Sequence, residues 1–187
     1  GEPIGATDAK WRWNPCSPIT YRVNTAGARP GVLSDVKAAF DRVHDATGLR
    51  FTYVGSSTIK NPLDPRSVYP AGTDIVISWT SPAEVPDLSG SAVALSGPVG
   101  YGTDGYLAAS GIAVDAADMR DNPSGFTFGT SRAVILMHEI GHAVGLNHSP
   151  SATQVMYGGG AIQATRWGAS DLAGFRLIGA AQGCAKG

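Results

Sequence analysis

Between positions 138 and 148 the chain reads His-Glu-Ile-Gly-His-Ala-Val-Gly-Leu-Asn-His, and this stretch constrains the fold more than any other. Val134, Ile135, Leu136 and Met137 lead into it, and a helix so apolar on most sides is buried. His138 and His142 stand four residues apart, so on that helix both imidazoles lie on one face and can reach one metal ion. Glu139 follows the first histidine directly and can reach a water held by that metal, which gives a buried carboxylate a reason to be there. Gly145 ends the helix, because glycine accepts the left-handed backbone of a sharp turn, and the turn brings His148 back as a third ligand. Three neutral nitrogens leave one tetrahedral position open, as in catalytic rather than structural zinc sites. The chain has four histidines, and three are here.

These eleven residues resemble the long zinc signature of the metzincin metallopeptidases, HExxHxxGxxH. Ser149 and the run Val155-Met156-Tyr157 are similar to the matrixin branch, where a methionine-bearing turn follows the third histidine at about this distance. The resemblance implies an α+β, zincin-like fold. It has a twisted, mostly parallel sheet with an antiparallel edge strand, a backing helix, an active-site helix and a C-terminal helix. It further implies a single catalytic domain over 1–187, with an upper subdomain to about 145 and a lower one from about 146. The implied activity is that of a secreted zinc endopeptidase. One catalytic zinc sits on His138, His142 and His148, Glu139 is general base toward its water, and Met156 is the Met-turn residue. Tyrosine two residues after the methionine binds zinc in some relatives; that position is Gly158 here, so no tyrosine ligand is expected. By family position, 158–167 forms the outer wall of the S1′ pocket, with Tyr157 and Gly158 at its start, and Asp171 braces the Met-turn.

A chain of 187 residues with 43% hydrophobic residues is one domain of ordinary size, able to bury its own core. A net charge of −1 gives no reason to expect nucleic acid or an anionic membrane as partner, and no apolar run is long enough to span a bilayer. The expected partner is a polypeptide substrate and the expected state a monomer. The start at Gly1 reads as a mature or trimmed form. In a secreted protein the even cysteine count suggests a disulfide, Cys16–Cys184, joining the two ends of the chain; two free thiols are the alternative. Cys16 as a latency cysteine is set aside, because Asn14-Pro15-Cys16-Ser17-Pro18 does not resemble that motif.

Taken in order, Trp11 and Trp13 offer apolar surface for docking, and Ile19 to Val23 alternates as a strand. Ser34 and Gly48 bracket a helix whose core stripe is Val36, Phe40, Val43 and Thr47. His44, lying beside that stripe, lacks partners for a metal. Strands are expected over 49–54 and 74–79, the latter central, with a long proline-rich loop between. The segments ITYRV, VKAAF, LRFTYV and TDIVISW resemble matrixin segments in the same order. Gly97 to Gly102 reads as an irregular edge or turn and Gly111 to Asp115 as a short strand. Leu95, Gly97, Val99 and Tyr101 are candidates for holding extended substrate by strand addition, or simply a blunted sheet edge. Animal matrixins carry histidine and aspartate clusters in this region for a second, structural zinc; this chain has no histidine between His44 and His138, so the resemblance implies no structural zinc and a bacterial rather than an animal enzyme. Asp115, Asp118 and Asp121 leave calcium open, although their spacing fits no calcium loop and a solvated acidic loop is the plainer reading. The active-site helix should run 132–144 behind Thr130 or Ser131, and a last helix 171–177 behind Ser170.

Two rival functions remain: a zinc-bearing binding module that no longer cuts, and a zinc hydrolase of non-peptide bonds. The intact Glu139 weighs against the first, because the metal does not need it. The edge-strand candidate weighs against the second.

Overall fold

The computed structural model describes residues 11–184. The first ten residues lie outside those described, and the N-terminal arm is followed from Trp11 onward. Strands β1 (Ile19–Asn24), β2 (Phe51–Ser56), β3 (Ile75–Thr80), β4 (Ala94–Tyr101) and β5 (Leu107–Asp115) form one sheet in the order β2-β1-β3-β5-β4. All neighbours are parallel except β4, which runs antiparallel to β5 at the sheet's end. Helices α1 (Val32–Thr47), α2 (Arg132–Ala143) and α3 (Ala169–Ile178) complete the α+β architecture.

Alternation along β3 explains the layering. All six of its residues are buried, as befits a central parallel strand covered on both faces. Ile75, Ile77 and Trp79 join one core with Val36, Phe40 and Val43 of α1 and Leu136, Met137 and Ile140 of α2. The opposite face is covered by the long loop 57–74. Ser78 Oγ donates to the Ile59 carbonyl at 2.7 Å, and Tyr69 Oη donates to the Pro62 carbonyl at 2.6 Å. Gly111 has no side chain because the Pro62 carbonyl lies against it: a Cβ there would stand 2.6 Å from the Pro62 carbonyl carbon. The proline-rich loop is thus a lid on the sheet, satisfying backbone carbonyls with side-chain hydroxyls.

Several expected boundaries shift. Helix α1 starts at Val32 behind Gly31 in a left-handed conformation (φ 87°), not behind Ser34. Asp35 is buried and forms an ion pair with Arg132 Nε at 2.9 Å while accepting from the Gly125 N–H at 3.0 Å. It ties α1 to the start of α2. Ser131 does precede α2, but its hydroxyl accepts from the Phe128 N–H and makes no cap bond. Strand β2 lies two residues later than expected. The segment Gly97–Gly102, expected to be irregular, is mostly strand: β4 absorbs Pro98 and Gly100 through register shifts between Pro98 and Tyr101, as bulges do at sheet edges. Strand β5 is longer than expected because it begins at Leu107, where the Arg12 carbonyl accepts the Leu107 N–H at 3.0 Å.

The N-terminal arm is docked at both tryptophans. Trp13 is buried and its Nε1 donates to the Ala143 carbonyl at 3.0 Å. Trp11 meets Tyr101 edge to face with ring centroids 4.4 Å apart. Cys16 and Cys184 form a disulfide with a Cα–Cα separation of 5.4 Å, and Arg12 Nη2 donates to the Gly183 carbonyl at 2.8 Å beside it. No helix among the described residues is long and apolar enough to cross a membrane.

Candidate metal centre

Helix α2 carries His138 and His142 on one face, and its C-terminal end is held by two donors. Trp13 Nε1 and Ser110 Oγ both bond the Ala143 carbonyl, one of the carbonyls a helix end leaves without an internal partner. Gly145, at φ 114°, turns the chain, and Leu146 follows with its carbonyl 2.7 Å from His142 Nδ1. His138 Nδ1 lies 2.7 Å from the Val155 carbonyl. A carbonyl oxygen only accepts, so each Nδ1 carries the proton and each neutral ring presents a lone pair at Nε2.

Those lone pairs converge. His142 Nε2 is 3.1 Å from His138 Nε2, which is 3.3 Å from His148 Nε2. Burial pushes His138 and His142 down to about 4 from an ordinary 6.5, so both are neutral at pH 7 and their nitrogens cannot hydrogen-bond one another. Three nitrogens at about 2.0–2.1 Å from one tetrahedral ion stand roughly 3.3–3.4 Å apart. The donor set, the tautomers and the spacing therefore fit zinc. Among the described residues this is the one cluster of three or more His, Cys, Asp or Glu side chains with converging ligand atoms. His44 is elsewhere, bonded to the Leu49 carbonyl. Asp115 Oδ1 accepts from the Ala117 and Asp118 N–H groups, and Asp121 Oδ1 pairs with Arg29.

The model of the matrixin peptidase family matches residues 10–166, most of the chain. The chain belongs to the matrixin family. No curated protein sequence matches it significantly. Family and histidine triad together make this matrixin a zinc metallopeptidase.

The loop after His148 is held by short backbone bonds. Ser149 N–H donates to the Met156 carbonyl at 2.6 Å, and Ser149 bridges to Tyr157 in parallel. Met156 is 1% exposed and lies where Gly141 leaves room: a Cβ on Gly141 would come within 2.5 Å of Met156 Sδ. Asp171 receives the N–H groups of Val155 at 2.8 Å and Met156 at 3.3 Å. It also receives that of Gly168 at 3.1 Å. Gly168 and not Ser170 precedes α3, so Asp171 serves the helix start and the loop with one carboxylate.

Tyr157 and Gly158 line an open recess of about 410 Å³ with His148, Ser149, Pro150 and Gly159, next to the third ligand. The segment 158–167 is anchored at its far end, where Trp167 Nε1 donates to the Arg42 carbonyl and Arg42 Nη1 to the Thr165 carbonyl.

Glu139 is 6% exposed. Burial pushes its carboxyl above the usual carboxylate range, with His142, Ser96 and His148 pulling the other way. Ser96 Oγ stands 2.6 Å from Glu139 Oε2, a contact the sequence reading missed. The available cue was the two-residue period of a strand. Ser96 had to face opposite to Leu95 and Gly97, and a lone hydroxyl on the helix side of an edge strand has few partners. Leu95 indeed points the other way, into a cluster with Val85, Leu88 and Ala113. Tyr101, 55% exposed, lies at the far end of β4 against Trp11.

Proposed function

We propose that this matrixin is a secreted endopeptidase that cuts internal peptide bonds with Glu139 as general base, acting as a monomer on extended polypeptide. The observation that carries the reading is a buried carboxylate one residue from the first of three converging imidazoles, beside an edge strand. Zinc, when bound by His138, His142 and His148, supplies Lewis-acid polarisation of the scissile carbonyl and lowers the pKa of water. Glu139 takes the proton of the attacking water and passes it to the leaving amine; the raised proton affinity that burial confers suits a group that must accept and return a proton near neutral pH. Leu146 and Val155 hold the imidazoles of His142 and His138 in the tautomer that presents Nε2, and Met156 fills the space beneath them as the Met-turn residue.

Substrate would lie along β4. Its outer side has no partner strand among the described residues, and strand addition reads peptide backbone at such an edge. Leu95, Gly97, Val99 and Tyr101 belong to this strand. Tyr157 and Gly158 would border the S1′ side through the recess at His148. Secretion is supported by the Cys16–Cys184 disulfide, which persists in an oxidising compartment. The whole described chain would then serve as one catalytic unit, with the cleft between its parts before and after about residue 145.

The test is digestion of a diverse peptide mixture by the zinc-loaded protein, with products read by mass spectrometry. Internal cleavage that a chelator abolishes and zinc restores is the expected result. Cleavage of ester or amide substrates but of no peptide would favour a hydrolase of another bond.

A further inference from the structure

Ser96 is where the sheet edge and the metal centre touch. Register pairs Leu95 with Ala113, Ser96 with Ile112 and Gly97 with Gly111, and the Asp115 N–H donates to the Val93 carbonyl at 2.9 Å. Antiparallel bonding alternates residue by residue, so Val93, Leu95 and Gly97 turn their backbone groups toward β5, while those of Ala94 and Ser96 point away from the sheet. Pro98, which has no N–H, falls at the next outward position, where its lack breaks no ladder bond. The residue whose backbone is offered at the open edge is therefore the same one whose side chain enters the site.

That side chain sits between two oxygens of Glu139. Its Oγ is 2.6 Å from the carboxylate Oε2 and 2.8 Å from the Glu139 backbone carbonyl. A hydroxyl has one proton to give, and the ionised carboxylate is the stronger acceptor. Among the described residues no other side chain hydrogen-bonds this carboxylate, and Oε1 accepts no bond from them. One oxygen is anchored and the other is left for a proton in transit.

We propose that Ser96 is the positioning residue for Glu139: its hydroxyl holds Oε2 so that Oε1 faces the attacking water, and its outward backbone pairs with the substrate strand. The proposal rests on the endopeptidase reading above and adds a coupling to it. A peptide seated on β4 immobilises the Ser96 main chain, and with it the anchor of the base.

Two measurements test this on the full chain. In the first, wild type, Ser96→Ala, Ser96→Thr and Glu139→Gln are loaded with zinc and assayed on an internally quenched peptide that the wild type cuts. Ser96→Ala should keep its zinc and its melting temperature while kcat falls roughly 10- to 100-fold with KM nearly unchanged, the scale expected when a reacting group is misaligned. Ser96→Thr, which keeps the hydroxyl, should recover most of the rate. In the second, glutamate carboxyl carbons are labelled with 13C. The chain has three glutamates, Glu2, Glu84 and Glu139, so Glu139→Gln identifies one resonance directly. Ser96→Ala should shift or broaden that resonance and leave Glu84 in place, and Ser96→Thr should return it.

Wild-type kcat in Ser96→Ala with an unmoved Glu139 resonance would overturn the proposal. So would a raised KM at constant kcat, which would make Ser96 a substrate contact only. Cleavage by Glu139→Gln as fast as by wild type would overturn the proposal as well, because there would be no base to position; if instead the wild type cuts no peptide, the endopeptidase reading fails separately. The resonance then decides the contact alone: a shift in Ser96→Ala upholds the positioning contact, and none overturns it.

Discussion

Asp171 and His138 are joined through a single residue, Val155, whose N–H donates to the Asp171 carboxylate at 2.8 Å and whose carbonyl accepts the His138 Nδ1 proton at 2.7 Å. A residue at the start of α3 thus sets the tautomer and orientation of the first metal ligand. Partners of this kind outside the ligand shell orient histidines and raise their basicity.

Replacing Asp171 by Ala leaves the buried N–H groups of Val155 and Met156 without an acceptor. Stability should fall by roughly 2–4 kcal/mol and zinc affinity by about 10- to 100-fold. Urea denaturation and competition with a chromophoric chelator check the two numbers.

Gly158 lies so close to the third ligand that a Cβ would stand 2.6 Å from His148 Nδ1. Gly158→Ala should displace that imidazole and weaken zinc binding by about 10-fold or more while most of the fold survives. Gly97→Ala is the control, because a Cβ there meets nothing within 4 Å; its stability and zinc affinity should match wild type. Equal zinc affinity in both variants would contradict the packing described.

The Asp35–Arg132 pair is about nine-tenths buried on both sides. Asp35→Ala strands a guanidinium in the core and should cost about 3–5 kcal/mol, measured by chemical denaturation. Replacing both partners with apolar residues of similar size should recover much of that loss, since the surviving charge is what makes the single change costly.

In the zinc-free protein, burial holds His138 and His142 down to about 4, below their ordinary 6.5. Between those values the unfolded chain binds protons that the native chain does not, so stability falls as pH drops through that window. Melting temperature followed with a chelator present should decline from pH 6.5 to about 4, and decline at least as steeply with zinc bound, because imidazoles held by a metal take up no protons while those of the unfolded chain still do. A flat profile without metal would show that the two imidazoles are not buried as described.

The metal centre was legible because it is local. Eleven consecutive residues, one helical turn and one glycine bring three ligands together, and Asp171 could be placed by likeness to a family segment. The central position of β3 followed from its unbroken apolar run, and the core stripe of α1 from its spacing. What could not be read depends on partners far along the chain. Asp35 looks like an ordinary first-turn acid until Arg132 is brought beside it, and Ser96 looks like a loop serine until β4 is laid against α2. Gly97, Pro98 and Gly100 read as turn residues, yet a bulged edge strand accommodates all three. Ser34 and Ser170 are good caps by chemistry, but Gly31 and Gly168 precede the helices because the left-handed turn at the first and the Asp171 carboxylate at the second determine where each begins.

In the proposed reaction the carboxylate of Glu139 performs proton transfer at a zinc site it does not help to build. The most direct measurement compares wild type with Glu139→Ala for zinc content and for rate of peptide cleavage in the same preparations. One zinc per chain is expected in both proteins, with a rate reduced at least about 100-fold in the variant, the lower end of what a general base contributes. Undiminished cleavage by Glu139→Ala, or loss of zinc along with activity, would contradict that role.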